Sequence, residues 1–580
     1  GNPVALLKDY GHIRNVYGTL LADLSIRQDL SALTKGLAAE ASVSFDNIGG
    51  MNETTNKEYR YMNSNASITS DGTLVTTPAI YGTDSETLGH TQPFERLMLR
   101  SDFQAKVDYN RTFGKHQVGG ALIYDMQSVV KNGRNNSQKN QSVLVNATYT
   151  YDNRYSLNAV FNRSGSAYLP DGDKYSNYPA VSAAWIVSNE AFMEKVTPIN
   201  LFKIRASYGL SGWDGNLSHE LWRQSYGSGG AGYNFGVNAG GQSGGSEGDL
   251  PVIGLVAEKS QKATFGFDLA AFDNRLNATV EGFYEKRSDI LVSGANSTSG
   301  IIGITVGQVN EGIYKYKGLD ASLSWNDKIG DFHYGIGASM SYLNTEVVNV
   351  NQAYQEYDYL YTKGNRIGQM YGLEAIGFFN SQQEINNSPQ QTFSDVAPGD
   401  VKYKDQNGDN RIDEKDVVKM FGSSVPRFYF GFNLNFSYKR VELSADFQGM
   451  TGVTVSLLNS PLYSPLVSNG NISNTFLNEE ISWTPENKTN ATMPRLTTQE
   501  NLNNYRASSL WYRDGSFLKL RNLLVAYTFP KSQTRFADLK VFVQGTNLFS
   551  LDNLHFADPE QLGIAYPSTR SYWAGIKLNF

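Results

Sequence analysis

Phe428-Tyr429-Phe430-Gly431-Phe432-Asn433-Leu434-Asn435-Phe436-Ser437-Tyr438 is the stretch on which the fold turns. Read at a period of two, one face is Phe428, Phe430, Phe432, Leu434, Phe436 and Tyr438, and the other is Tyr429, Gly431, Asn433, Asn435 and Ser437. Successive strand residues point to opposite faces, so this segment is a strand with one apolar and one small, polar side. After a tight turn the pattern resumes, with Val441, Leu443, Ala445 and Phe447 set against Glu442, Ser444, Asp446 and Gln448. A soluble sandwich alternates too, but its inner face meets a packed core dominated by Leu, Ile and Val. Six consecutive Phe, Leu and Tyr positions opposite small polar ones fit lipid on one side and water on the other.

Working outward, the same alternation predicts about 17 strands: 13–27, 36–48, 96–111, 117–130, 139–151, 154–164, 175–187, 201–211, 260–271, 276–291, 310–325, 331–346, 427–438, 440–454, 516–529, 538–549 and 569–580. Near Asn522 the alternation slips by one residue between Leu520 and Leu523, the mark of a β-bulge. Connections sort by length. Short turns at 112–116, 152–153, 272–275, 326–330, 439 and 530–537 interleave with insertions at 49–95, 212–259, 347–426 and 455–515. Transmembrane barrels sort their loops in this way, with short turns inside the cell envelope and long loops outside. The chain ends on Tyr572, Ala574, Ile576, Leu578 and Phe580, all on one face. A closing strand that stops on an aromatic residue is the pattern read by the outer-membrane assembly machinery. The expected fold is therefore all-β, a transmembrane antiparallel up-and-down barrel. Seventeen is odd, whereas bacterial single-chain barrels have even strand numbers, so further strands are expected before this segment.

Composition agrees and narrows the function. Of 580 residues only 18 % are charged, against about 25 % in soluble proteins, and 12 % are aromatic, with 35 Tyr and 30 Phe. There is no run of 18 apolar residues, which excludes membrane helices. Cysteine is absent, so disulfides, Cys-ligated zinc and thiol chemistry are excluded. A net charge of −6 without a basic tract excludes nucleic acid as a partner. The six His are scattered without a catalytic pattern, and no enzyme is expected. Gly1-Asn2-Pro3-Val4 lacks the basic start and apolar stretch of a signal peptide, so a processed chain or a fragment is expected.

Several stretches resemble the SusC/RagA family of TonB-linked outer-membrane proteins. They are Asp152-Asn153-Arg154-Tyr155 through Phe161; Tyr178-Pro179-Ala180-Val181-Ser182-Ala183-Ala184-Trp185; Glu190-Ala191-Phe192-Met193; and Lys203-Ile204-Arg205-Ala206-Ser207-Tyr208-Gly209. Phe272-Asp273-Asn274-Arg275-Leu276, Pro398-Gly399-Asp400-Val401-Lys402-Tyr403, Asn547-Leu548-Phe549 and Asp558-Pro559-Glu560 continue the series in order. Arg163-Ser164-Gly165-Ser166 departs from it by lacking the usual acidic residue after the Arg. The resemblance implies a barrel of about 22 strands with a plug inside. Neither the plug nor the TonB-interacting segment is expected within these 580 residues, which would be the C-terminal barrel portion. It also implies a SusD-like lipoprotein lid on the cell surface, and import of oligosaccharides or peptides driven by the proton-motive force across the bacterial outer membrane. The alternative is a passive porin, which needs no plug, TonB or lid.

Two candidate sites stand out. Asp405-Gln406-Asn407-Gly408-Asp409-Asn410-Arg411-Ile412-Asp413-Glu414-Lys415-Asp416 sets Asp405, Asn407, Asp409, Asp413 and Asp416 at positions 1, 3, 5, 9 and 12 of a calcium-type loop. The Arg411 carbonyl would supply position 7, and a structural Ca2+ is the expected cofactor. Position 6 is Asn410 where Gly is usual, although Asn tolerates a left-handed backbone better than most residues. The competing reading is a solvated acidic loop whose Asn-Gly and Asp-Asn pairs simply make turns. Tyr354, Tyr357, Tyr359 and Tyr361 form the candidate substrate-binding patch, stacking on cargo, packing the loop or meeting the lid protein. The Gly-rich run 227–248 has no phosphate-loop spacing and reads as an outer loop.

Overall fold

The computed structural model describes residues 8, 10–69, 71–131, 137–218, 220–234, 241–294, 301, 306–460, 481–497, 500–554, 557–561 and 568–580. All seventeen expected strands are present in it. They are β1 (Gly11–Asp29), β2 (Leu37–Asn56), β3 (Phe94–Phe113), β4 (His116–Lys131), β5 (Ser137–Tyr151), β6 (Tyr155–Ser166), β7 (Tyr175–Ile186), β8 (Ile199–Trp213) and β9 (Glu258–Ala271). There follow β10 (Leu276–Ser293), β11 (Gln308–Ile329), β12 (Phe332–Asn349), β13 (Phe428–Tyr438), β14 (Val441–Thr451), β15 (Phe517–Phe529), β16 (Asp538–Asp552) and β17 (Ser571–Asn579). Among the described residues no helix is long and apolar enough to cross a membrane.

The largest departure from expectation is β2, which runs on to Asn56. Gly49-Gly50 punctuates the sequence like a turn, yet both glycines stay in the ladder opposite Gly18 and Tyr17. The insertions expected at 49–95, 212–259, 347–426 and 455–515 accordingly become 57–93, 214–257, 350–427 and 452–516. The Gly-rich run is also more ordered than expected, since Tyr226–Asn234 pairs with Gly241–Glu247 as a two-stranded ribbon.

The chain folds as two compact units, Gly1–Tyr149 with Asn158–Pro179 and Asp214–Trp222, and Thr150–Leu157 with Ala180–Trp213 and Arg223–Phe580. In the first, β1 to β4 pair consecutively and antiparallel. Directly opposed residues share a face. Leu24, Val43, Phe103 and Met126 thus make one apolar row, while Asp23, Ser44, Asp102 and Gln127 make a polar row on the other side. On that polar side Arg27 reaches both Glu40 at 2.9 Å and Asp108 at 2.9 Å.

In the second unit the ladder runs β8 to β17 in chain order. The row Ile204, Phe267, Val280, Ala321, Met340 and Phe430 is wholly apolar. One residue along, the row Arg205, Gly266, Glu281, Asp320, Ser341 and Tyr429 lies on the opposite face. Large apolar side chains on the first face stand open, Phe265 at 64 % and Ile576 at 69 % exposure, across many strands. An apolar surface this extensive is not left to water by a folded protein.

Turn chemistry explains why the hairpins close where they do. Asp152, Asn153, Asp273 and Asn274 adopt positive φ of 51°, 51°, 58° and 62°. Asp and Asn tolerate this left-handed backbone because their short polar side chains bond locally. Beside these turns the apolar face is aromatic. Phe272 packs on Trp325, Phe332 on Tyr334 and Phe436, Tyr527 on Phe529, and Tyr155 on Trp185. The expected bulge falls at Arg521, where both flanking ladders shift register beside Asn522.

Candidate functional site

The insertions 350–427 and 452–516 do not dangle. Their described residues fold together over small cores, one of Leu373, Val401, Tyr403 and Ile412, the other of Leu457, Met493 and Trp511, with Leu510 packed on both. Gly399 makes the entry turn at φ +94°, and a Cβ there would sit 2.4 Å from the Trp483 ring. That turn delivers Asp400 into the interior, where it is fully buried.

Asp400 is satisfied by donors from both insertions. Arg495 donates Nε at 2.7 Å and a guanidinium amino group at 3.1 Å. Asn501 and Asn504 donate side-chain amides at 3.0 and 2.9 Å, and the Ala397 N–H donates at 2.7 Å. The bonding continues outward: Asn504 accepts from the Val401 N–H, Gln391 bridges Val401 and Asn503, and the Tyr403 hydroxyl donates to the Asn503 carbonyl at 2.7 Å. Burial pushes the Tyr403 phenol far up, so it stays a neutral donor. A buried charge is tolerable only when paired and fully hydrogen-bonded, and here it is both. The sequence alone assigns no role to Asp400, Arg495, Asn501 or Asn504. A lone Asp after Pro-Gly together with an Asn-rich run late in the chain is the only trace of this pairing in the sequence.

In the acidic loop the side-chain oxygens accept neighbouring backbone N–H groups. Asp405 accepts the N–H groups of Gly408 and Asn410, Asp409 that of Arg411, Asp413 that of Lys415, and the buried Asp416 those of Gln406 and Asp413. Asn407 accepts from the Asp409 N–H, and Asn410 takes the left-handed backbone at φ 60°. The carboxylates thus serve their own turn, and among the described residues no group of three acidic or His side chains is placed to hold a metal. The tyrosines divide. Tyr361 bonds to Gln355, and the Tyr359 hydroxyl donates to the Lys415 carbonyl at 2.7 Å, so both brace the loop. Burial and nearby Asp416 hold the Tyr359 phenol above its usual range. Tyr357 stacks on Tyr359 at 5.3 Å, and Tyr354 stands 85 % exposed.

Two charge clusters line the polar face of the second unit. Arg205 bonds Glu281 and lies 3.4 Å from Asp268, which Lys203 also meets at 3.2 Å. At the bulge, buried Lys519 holds Asp558 and, at 2.6 Å, Glu560, while Arg521 also reaches Glu560. Desolvation raises both carboxyls, but hydrogen bonds from Lys519 to Asp558, and from Arg521 and Lys519 to Glu560, more than offset it and leave each below its ordinary value. Carboxyls lowered by folding stabilise above the unfolded pKa of about 4, and that contribution disappears as pH falls through the lowered values. Proteolysis around 553–561 should therefore be slow from neutral pH down to that range and rise sharply only in stronger acid. Acceleration already at neutral pH in wild type would contradict the tie.

No protein-family model matches the chain. Curated relatives do. TonB-dependent receptor P26 of Formosa agariphila is 28 % identical over 461 residues, covering 74 % of this chain and 45 % of the relative. TonB-dependent receptor P3 of the same organism is 26 % identical over 546 residues, 81 % of this chain and 51 % of the relative. TonB-dependent receptor SusC of Bacteroides thetaiotaomicron is 22 % identical over 465 residues, covering 74 % and 43 %. The chain is thus similar, at 22–28 % identity, to proteins named TonB-dependent receptors, SusC among them. It spans about half the length of the curated relatives it matches. The solved RagAB peptide transporter has the same fold, at TM-score 0.73 and 17 % identity over 98 % of this chain and 62 % of that one.

The likeness gives the two faces their names. The fold is the antiparallel barrel of the outer membrane, its apolar face toward lipid and its polar face toward the lumen. The aromatic residues beside the short turns form the inner girdle, and Tyr208, Phe265, Tyr284 and Phe428 lie toward the outer edge. The Asp400-centred domain is then an ordered cap built from the two long insertions.

Proposed function

We propose that this chain supplies the barrel and extracellular cap of an energy-coupled importer that takes up oligosaccharides or peptides, with a SusD-like surface lipoprotein as lid and TonB as the source of force. The observation that carries this reading is the similarity to TonB-dependent receptors over 74 % and 81 % of the chain. The folded cap supports it, because a diffusion channel has no use for two long insertions tied together by a buried charge. The relatives are named as receptors, and in this reading the chain acts as a transporter.

Uptake of a labelled oligosaccharide or oligopeptide by cells carrying the intact receptor tests the proposal. Uptake should require TonB and collapse when the proton-motive force is dissipated. Uptake that persists without either would return the reading to a porin.

Within the cap, the stacked Tyr357–Tyr359 pair and exposed Tyr354 are the proposed cargo contact, with Tyr361 holding them in place. Removing Tyr354 and Tyr357 together should weaken cargo binding by about 1–2 kcal/mol, the worth of one or two aromatic contacts. Unchanged affinity in a titration would assign these rings to loop packing alone. A structural Ca2+ at 405–416 stands as a separate proposal. The ion would have to draw Asp405, Asn407, Asp409, Asp413 and Asp416 away from the backbone N–H groups they serve and recruit the Arg411 carbonyl. Adding Ca2+ to chelator-washed receptor should then slow cleavage within 404–417. No change would leave the turn-forming role.

A further inference from the structure

Several charges on the lumen face are paired, as Lys203, Arg205 and Arg287 with Asp268, Glu281 and Glu285 show. The lipid face of β10 and β11 behaves differently. From the inner girdle upward its cross-strand pairs are Leu276 and Trp325, Ala278 and Leu323, Val280 and Ala321, then Gly282 and Leu319. None carries a charge. The next pair is Tyr284 with Lys317, and the one above it Lys286 with Lys315. Three lysines therefore cluster where the apolar rows stop.

Their height is informative. Eight residues separate Leu276 from Tyr284, which at about 3.3 Å per residue and a tilt of about 40° gives roughly 20 Å along the barrel. Lys286 and Lys315 lie one row higher, at the top of an apolar band about 25 Å tall. Lysine at such a boundary lays its stem on the apolar surface and lifts its ammonium into the headgroup layer. Neighbouring charges on this face are few. Lys259 is held by Asp289 at 3.0 Å, and Glu346 stands across the ladder from Lys315. Among the described residues no ion pair engages Lys286, Lys315 or Lys317. The cluster is net positive, faces outward, and lies at the depth of lipid phosphate.

We propose that Lys286, Lys315 and Lys317 form a binding site for the phosphate of an outer-leaflet lipid, a phosphorylated glycolipid. Tyr284 below them lies against the first acyl segments, and the lysines grip the phosphates above. The ring and the cations together select an amphiphile over a free anion. Each lysine near an anionic membrane surface strengthens binding about fivefold, so the three together are worth about a hundredfold.

The test uses the intact receptor purified in detergent and titrated with bis-phosphorylated lipid A, with its dephosphorylated form, and with inorganic phosphate. Wild type should bind the first and neither of the others. Joint replacement by Lys286→Gln, Lys315→Gln and Lys317→Gln should weaken binding about a hundredfold, whereas three Lys→Arg changes should retain it. Lys262→Gln, on the lumen face, should leave it unchanged. Barrel assembly is scored by heat-modifiable migration. If the triple variant does not assemble, Lys315→Gln alone should weaken binding about fivefold. Wild-type affinity in the Gln variants, equal loss in Lys262→Gln, or equal competition by inorganic phosphate would overturn the proposal.

Discussion

Asp400→Ala is expected to unfold the extracellular cap while leaving the barrel assembled. The carboxylate is fully buried and receives Arg495, Asn501, Asn504 and the Ala397 N–H. Removing it strands a guanidinium that is only 28 % exposed and two side-chain amides, one of them on the fully buried Asn504. Breaking a buried ion pair from one side costs about 3–5 kcal/mol, and the partial exposure of Arg495 points to the lower end. That is a large share of what a small folded cap has. Limited proteolysis should cut 350–427 and 481–516 at least tenfold faster, with heat-modifiable barrel migration unchanged. Asp400→Asn keeps one acceptor oxygen and should fall between. If Asp400→Ala leaves the cap as resistant as wild type, the hub does not hold the two insertions together.

Phe432→Arg should cost about 2–4 kcal/mol of barrel stability, the penalty for a cation near the middle of the lipid face. Phe432 pairs with Ala338 and Phe447 in an apolar row, and its ring stacks on Phe447 at 4.4 Å. The neighbouring change Asn433→Arg places the same cation on the lumen face, between Gly337 and Asp446. There water solvates it and Asp446 partly compensates it, so stability should hold. Denaturant unfolding in lipid vesicles compares the two. Equal losses would mean that position 432 does not face lipid.

Strands were legible because period-two alternation survives in every one of them, and the bulge was legible because Leu520 and Leu523 fall out of step. Register mattered most. Once Phe428 to Tyr438 is fixed, each paired strand inherits its lipid and lumen faces. The cap resisted reading for a physical reason. Its stability rests on a contact between Asp400 and residues some hundred positions away, and no local pattern encodes such a pairing. The acidic loop carries two readings in the same residues. Its spacing suits a cation, yet Asp405, Asp413 and Asp416 are occupied by neighbouring N–H groups, which the same residue types favour equally. Tyr359 and Tyr361 were grouped with Tyr354 by proximity in sequence, but only contact geometry separates bracing hydroxyls from an open ring. The lysines 286, 315 and 317 drew no notice in sequence, since a strand-end lysine looks like any solvated charge until its face and depth are known.

The central claim is that the alternation in 428–438 separates lipid from water. The chain contains no cysteine, so each single Cys placed along this segment is a unique label site. Spin labels at successive positions of the membrane-embedded receptor, scored against lipid-soluble oxygen and a water-soluble nickel chelate, measure the separation directly. Positions 428, 430, 432, 434 and 436 should respond to oxygen, and 429, 431, 433, 435 and 437 to the chelate or to neither. Loss of the two-residue period, or its inversion, would contradict the barrel as described.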